Sequence, residues 1–212
     1  KASTIPAINN GVVIANGHIV TVNSNNTNAA KLALVGNARL DIAGSSVGHS
    51  YSLLNGTGTL VLNSSVFPSG DFSEFFSTSG GTVQYSGSYT IPNQALYNNL
   101  IFSGSGTKTL PPTNFTINGD LTINGVVSNL INSSNIIIRK NWINNGIYLA
   151  GNSTVFLNSA SAQSISGDSI SRFHNLTIQG SGIKTLGTSM RLKGTLLAEP
   201  NTTFVSNGLL TI

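Results

Sequence analysis

The sequence predicts an all-β chain wound as a parallel β-helix, a β-solenoid of about nine coils, with an antiparallel β-sandwich as the competing architecture. Three observations predict it: a long gapped self-similarity, apolar residues two apart along short segments, and a surface of neutral amides and hydroxyls. Fourteen residues, Tyr97 to Leu110 (YNNLIFSGSGTKTL), recur 76 positions later as Phe173 to Leu186 (FHNLTIQGSGIKTL), identical at 8 of 14 places. In a chain of short strands, such self-similarity marks an architecture built by stacking.

The strand segments carry apolar pairs at period two, including Leu32/Leu34, Leu40/Ile42, Leu60/Leu62, Phe115/Ile117, Leu121/Ile123, Ile136/Ile138, Ile147/Leu149, Val155/Leu157, Leu176/Ile178 and Leu210/Ile212. That period puts the pair on one face of a strand and Thr, Asn or Ser on the other. Seven Asn-Gly pairs, beginning at Asn10, Asn16, Asn55, Asn118, Asn124, Asn145 and Asn207, punctuate the segments. Between alternating runs, Asn-Gly is a hairpin signal, which favours the sandwich. The spacing favours coils. In Phe115 to Ile123 (FTINGDLTI) two apolar pairs lie six residues apart, which turns a corner instead of reversing the chain. Gly58 to Leu62 is echoed by Gly81 to Tyr85 at a shift of 23, the length of one coil, and the shift of 76 fits roughly three. Nine coils stacked at the inter-strand distance make a rod on the order of 45 Å long.

Composition explains how such a rod stays in solution. Asn, Ser, Thr and Gly together supply 100 of 212 residues, charged residues only 8%, and the hydrophobic fraction is 39%. Disorder goes with low hydrophobicity and high charge, the opposite of this balance. Inward positions stack in columns that no single coil can bury alone, while corner Asn residues satisfy one another's amides in ladders. The whole of 1–212 reads as one solenoid domain, with N-terminal coils over 1–54, recognisable repeats over 55–212 and a loop insertion near 66–79. That loop, with Phe67, Phe72, Phe75 and Phe76 around Pro68, is expected to fold back on the coils as a satellite aromatic cluster. The chain starts at Lys and stops in mid-pattern, as a mature or excised piece of something longer does.

Phe67 to Ser73 (FPSGDFS), Gly80 to Gly87 (GGTVQYSG), Leu96 to Leu110, Phe115 to Ile123 and Ser164 to Gly167 followed by Phe173-His174-Asn175-Leu176 resemble repeats of very large secreted surface proteins of Bacteroidota. The resemblance covers about residues 55 to 212 and implies a β-helical segment of an adhesin-like protein exported by the type IX system. No catalytic motif comes with it. Asp168-Ser169-Ile170 resembles the three-residue O-glycosylation acceptor of exported proteins in that group, which makes Ser169 a candidate site. The eight Asn-x-Ser/Thr triplets are close to what composition alone yields.

Catalytic chemistry is sparsely provisioned. A polysaccharide-cleaving β-helix needs converging acids and bases, and the chain has six carboxylates, of which only Asp71 and Glu74 are close in sequence. His18, His49 and His174 lack metal-ligand spacing, so neither metal nor cofactor is expected. Gly104-Ser105-Gly106 and Gly180-Ser181-Gly182 lack the helix of a phosphate loop and read as corners. Ten basic residues against six acidic ones form no stripe of the kind nucleic acid requires. Arg172, Lys184, Arg191 and Lys193 are therefore placed on a solvated face. No apolar run approaches the length of a membrane span. The densest charged spot is Arg139-Lys140-Asn141-Trp142; if one face of the rod reads a ligand, Trp142, Arg139 and Lys140 are the residues expected to face it.

Three functions follow in order: an extracellular structural stalk of a surface adhesin, not an enzyme, spacing other domains or copies of itself end to end; a module binding glycan or protein on one face; and a polysaccharide-degrading enzyme. The absence of Cys and the hydroxyl-rich coat fit a secreted location.

Overall fold

The computed structural model describes residues 11–42 and 47–212, so Asn10 and the first ten residues of the expected N-terminal coils lie outside the described residues. Every strand pairing is parallel, and the chain winds as a β-solenoid of ten turns. Each turn has three sides. The first face is one ten-stranded sheet, from Ile19–Thr21 through Arg39–Asp41, Thr59–Leu62, Thr82–Ser86 and Asn99–Ser103 to Thr203–Val205. The second face follows each of these strands, and the third, which includes Phe115–Ile117, Ile136–Ile138 and Thr154–Asn158, leads back to the next. Nine steps of about 4.8 Å between rungs give a ladder roughly 43 Å long.

Side-chain alternation builds the core. On the first face Leu40, Leu60, Val83, Leu100, Leu121, Trp142, Ile165 and Leu186 stand in register from coil to coil. On the third, Phe115, Ile136, Val155 and Leu176 do the same. All are buried, each contributing about 1.5–3 kcal/mol relative to exposure. A coil alone would leave both edges of each side chain wet; its neighbours remove that water.

Among the described residues the Asn-Gly pairs turn corners and make no hairpins, which settles the architecture against the sandwich. The reason is visible at Gly146: a Cβ there would sit 2.2 Å from the Gly125 carbonyl oxygen of the coil below. Only Gly lets the corner backbones stack at sheet spacing.

Three expectations are corrected. First, the repeat of 76 is not three whole coils, although the expected count of about nine coils agrees with the ten turns observed. Leu100 lies on the first face, and its counterpart Leu176 lies on the third; the motif has advanced three coils and two sides. A unit of strand, Gly corner and strand fits any side of a triangular coil, so the repeated motif is blind to which side it occupies. The shift of 23 does mark one coil, with Leu60 facing Val83 in register.

Second, the segment at 66–79 is no inserted satellite. After a short strand, Ser69–Asp71, a turn closed by Phe76 N–H donating to Phe72 carbonyl at 2.9 Å takes the place of a third-face strand. Phe72, Phe75 and Phe76 join the main core, with Phe75 fully buried beneath Gly81.

Third, Ile147–Leu149 has the opposite phase: Tyr148 is buried and Ile147 is half exposed. The inward position there is claimed by the ring that packs on Trp142, with centroids 4.9 Å apart.

Candidate functional surface

The corners carry the ladders that the Asn content predicts, but the acceptors mostly serve backbone. Asn99 Oδ1 accepts from the Asp120 N–H (2.9 Å), Asp120 Oδ1 from the Asn141 N–H (2.9 Å), and Asn141 Oδ1 from the Ser164 N–H (2.9 Å). Another run links Asn114 to Asn135 and Asn135 to Thr154, at 2.8 and 2.9 Å. The partners lie 19 to 23 residues apart, one coil. An amide-to-amide rung also occurs, Asn145 Nδ2 donating to Asn124 Oδ1 at 2.9 Å. A corner exposes backbone N–H groups that no sheet partner reaches, and a short side-chain oxygen from the coil below satisfies each one.

The carboxylates are engaged in the same way. Asp71 accepts from the Ser73 N–H, Glu74 from Asn55 and Glu199 from Gln179. Asp41 pairs with Arg39 at 3.2 Å, the one ion pair among the described residues, and Arg39 also donates to Gln84. Among the described residues no group of three or more His, Asp or Glu is placed to hold a metal ion.

The three residues expected to face a ligand are not brought together. Trp142 is fully buried. Its Nε1 donates to Ser171 Oγ at 2.9 Å, and its ring packs edge-on against Tyr148 and Phe173 at 4.9 and 4.8 Å. Strand alternation puts Trp142 and Asn144 inside and Ile143 outside, and the core column leaves no freedom to invert. Arg139 and Lys140 are exposed at the preceding corner, where Arg139 Nη1 donates to Asn118 Oδ1 at 3.2 Å. Ser169 is half-buried in the bend between the first and second faces, its N–H donating to the Asn144 carbonyl at 2.9 Å, beside exposed Asp168.

Two buried lysines escaped the reading of the charges. Lys184, assigned to a solvated face, is fully buried, as is Lys108 at the same place in the repeated motif. Lys184 Nζ donates to the carbonyls of Ser159, Gly180 and Gly182 at 2.7, 3.1 and 2.7 Å. Lys108 Nζ points to those of Gly104, Ser105 and Gly106 at 3.0, 3.5 and 3.3 Å. The Gly-Ser-Gly corner thus bends its carbonyls inward around an ammonium, and desolvation pushes both lysine pKa values below the ordinary 10.5. The recurrence of Gly-Ser-Gly-x-Lys was the signal in the sequence that could have found them.

Buried tyrosines give a pH dependence. Tyr85 and Tyr97 share a hydrogen bond of 3.0 Å between their hydroxyls. Burial pushes both well above 10 and Tyr89 up to about 12. A folded pKa above the unfolded value means the folded chain holds protons that the unfolded chain releases. Stability from this source is complete below pH 10 and is lost as pH rises through about 12. Urea midpoints measured from pH 8 upward should fall steeply above about pH 10; a flat profile across the tyrosinate transition would contradict the burial.

The described surface includes two concavities that bear on function. One, of about 690 Å³, opens at the first described coil between Val12, Ile14, Val20, Leu32, Leu40 and Tyr51. The other, of about 310 Å³, lies on the second face. From Tyr89 onward that face is two sheets: Tyr89–Thr90 through Ile147–Leu149, then Ser171–Phe173, Met190–Leu192 and Leu210–Thr211. Ile147–Leu149 and Ser171–Phe173 sit in successive coils without being hydrogen-bonded neighbours. The coil between them is long, with a 23-residue step from Trp142 to Ile165 and from Asn145 to Asp168. The groove opens at that break, floored by Tyr148 and Phe173 with Trp142 beneath them. No protein-family model, curated protein or solved structure matches the chain.

Proposed function

We propose that this chain is a stiff stalk segment of an extracellular surface adhesin, holding other domains away from the surface that bears them. One observation carries the reading: an unbroken ten-rung parallel ladder on the first face, with its side chains in register, locked at the corners by side-chain bonds from coil to coil. In such a stack each coil touches only its neighbours, so length grows with coil number and stiffness comes from shared core and corners. That is the mechanical requirement of a spacer. The neutral hydroxyl and amide exterior and the resemblance to secreted repeat proteins support the extracellular setting. The ends of the first-face ladder are strand edges able to accept a further coil from a neighbouring domain or another copy.

The test is immunogold labelling of intact source cells with antibodies to this chain, together with in-frame deletion of the segment from its parent. Gold outside the envelope, and a distal epitope drawn inward by roughly 43 Å, is the expected result. Label confined to the cell interior, or an unchanged epitope distance, would sink the proposal.

A further inference from the structure

From the groove on the second face we infer that the rod carries a binding site for an acidic polysaccharide of the uronate type. Three cations rim it: Arg172, Arg191 and Lys193, all exposed. Arg172 and Arg191 are directly opposed partners on neighbouring parallel strands, Ser171–Phe173 and Met190–Leu192. Their side chains leave the sheet on the same side, about one strand spacing apart. All six carboxylates of the chain are described, and none lies within ion-pair distance of these three cations. Like charges directly opposite one another destabilise a sheet. The fold therefore carries a local repulsion that an anion seated between the two guanidiniums would relieve.

The opposite wall is apolar, made by Leu130, which is 59% exposed, with Leu149 and Ala150. His174 also lines the groove, and its Nδ1 is buried without a hydrogen-bond partner. The occupant must offer carboxylates to a forked pair of guanidiniums, an apolar flank to Leu130, and a polar edge to Lys193 and His174. A uronate pyranose has all three: a carboxylate at one edge, C–H groups on its face, and hydroxyls around the ring. At about 310 Å³ the groove is at the small end of ligand sites, suited to one or two sugar units of a longer chain. An acidic peptide fits less well. Its backbone needs a strand edge to pair with, and Ile147–Leu149 and Ser171–Phe173 are in contact with each other, which leaves no room for a strand between them. The inference stands apart from the stalk reading, since a spacer can be bare and a glycan site can sit on any rod.

The test uses polygalacturonate as probe, with dextran and poly-glutamate as neutral and peptide controls, read by calorimetry and by thermal shift. Polygalacturonate should bind and raise Tm, more weakly as salt increases. R172Q/R191Q should lose binding by about tenfold or more and fold normally, both side chains being exposed. The free R191Q protein should melt roughly 1–3 °C higher than the parent, because the repulsion is gone, an effect a merely structural arginine would not show. L130D should also weaken binding while leaving both arginines in place. Poly-glutamate binding as tightly as polygalacturonate would overturn the proposal in favour of a peptide site. So would full binding by R172Q/R191Q, or no uronate binding at all.

Discussion

Trp142→Ala is expected to cost about 3–5 kcal/mol, the largest loss from any single truncation on the first face. The indole is fully buried, in register between Leu121 and Ile165, and bonded through Nε1 to Ser171. Removing it leaves a cavity in the column, an unpartnered Ser171 hydroxyl, and no support beneath Tyr148 and Phe173. Denaturant unfolding followed by circular dichroism measures the loss. Ile147→Ala, half exposed on the same coil, should stay within about 0.5 kcal/mol of the parent. Since this is the chain's one Trp, its emission reports the site directly: blue-shifted and shielded from iodide in the folded rod. A red-shifted, quenchable indole, or a W142A variant of near-normal stability, would return Trp142 to the surface and dismantle the packing described here.

Lys184→Met is expected to destabilise the rod by about 2–3 kcal/mol, although methionine nearly preserves the volume. The ammonium is the donor shared by three inward carbonyls, and one of them, Ser159, belongs to the preceding coil. Losing it leaves buried acceptors unpaired and cuts a cross-coil link. Lys108→Met should cost less, about 1 kcal/mol, because its three acceptors lie within its own turn and at longer distances. Lys193→Met, at the exposed groove rim, should be neutral for folding. The sign of the pH effect separates this term from that of the tyrosines. Burial depresses the lysine pKa, so below 10.5 the unfolded chain binds more protons than the folded one. The lysine contribution to stability therefore rises as pH climbs toward 10.5, and K184M should lose part of that rise. Equal unfolding midpoints for K184M, K108M and K193M would refute the carbonyl cage.

Much of the fold was legible because its determinants are local. Leu121 and Ile123, two apart with Thr122 between, specify a strand with one buried face wherever they occur, and the Asn-Gly corners follow the same short-range logic. The Phe-rich turn announced itself by composition, yet its place in the main core depended on Phe75 meeting Gly81 across the coil. The charged residues were the least legible. Lys108 lies in a second-face strand and Lys193 directly after one, but one is drawn inside by a Gly-Ser-Gly corner and the other projects into solvent. Trp142 misled for a related reason: its basic neighbours in sequence, Arg139 and Lys140, sit around a corner and point elsewhere.

The sequence by itself determined that this protein is all-β, that its chain turns corners in parallel coils, and that amides and hydroxyls form its exterior. Only the tertiary structure decided which side of each coil a motif occupies, that Lys184 is buried, and that Arg172 stands opposite Arg191 beside a groove. The division has one physical cause. Alternation and corner geometry act within a few residues, whereas the side a strand lands on, and what it meets there, is set by the summed length of every coil before it.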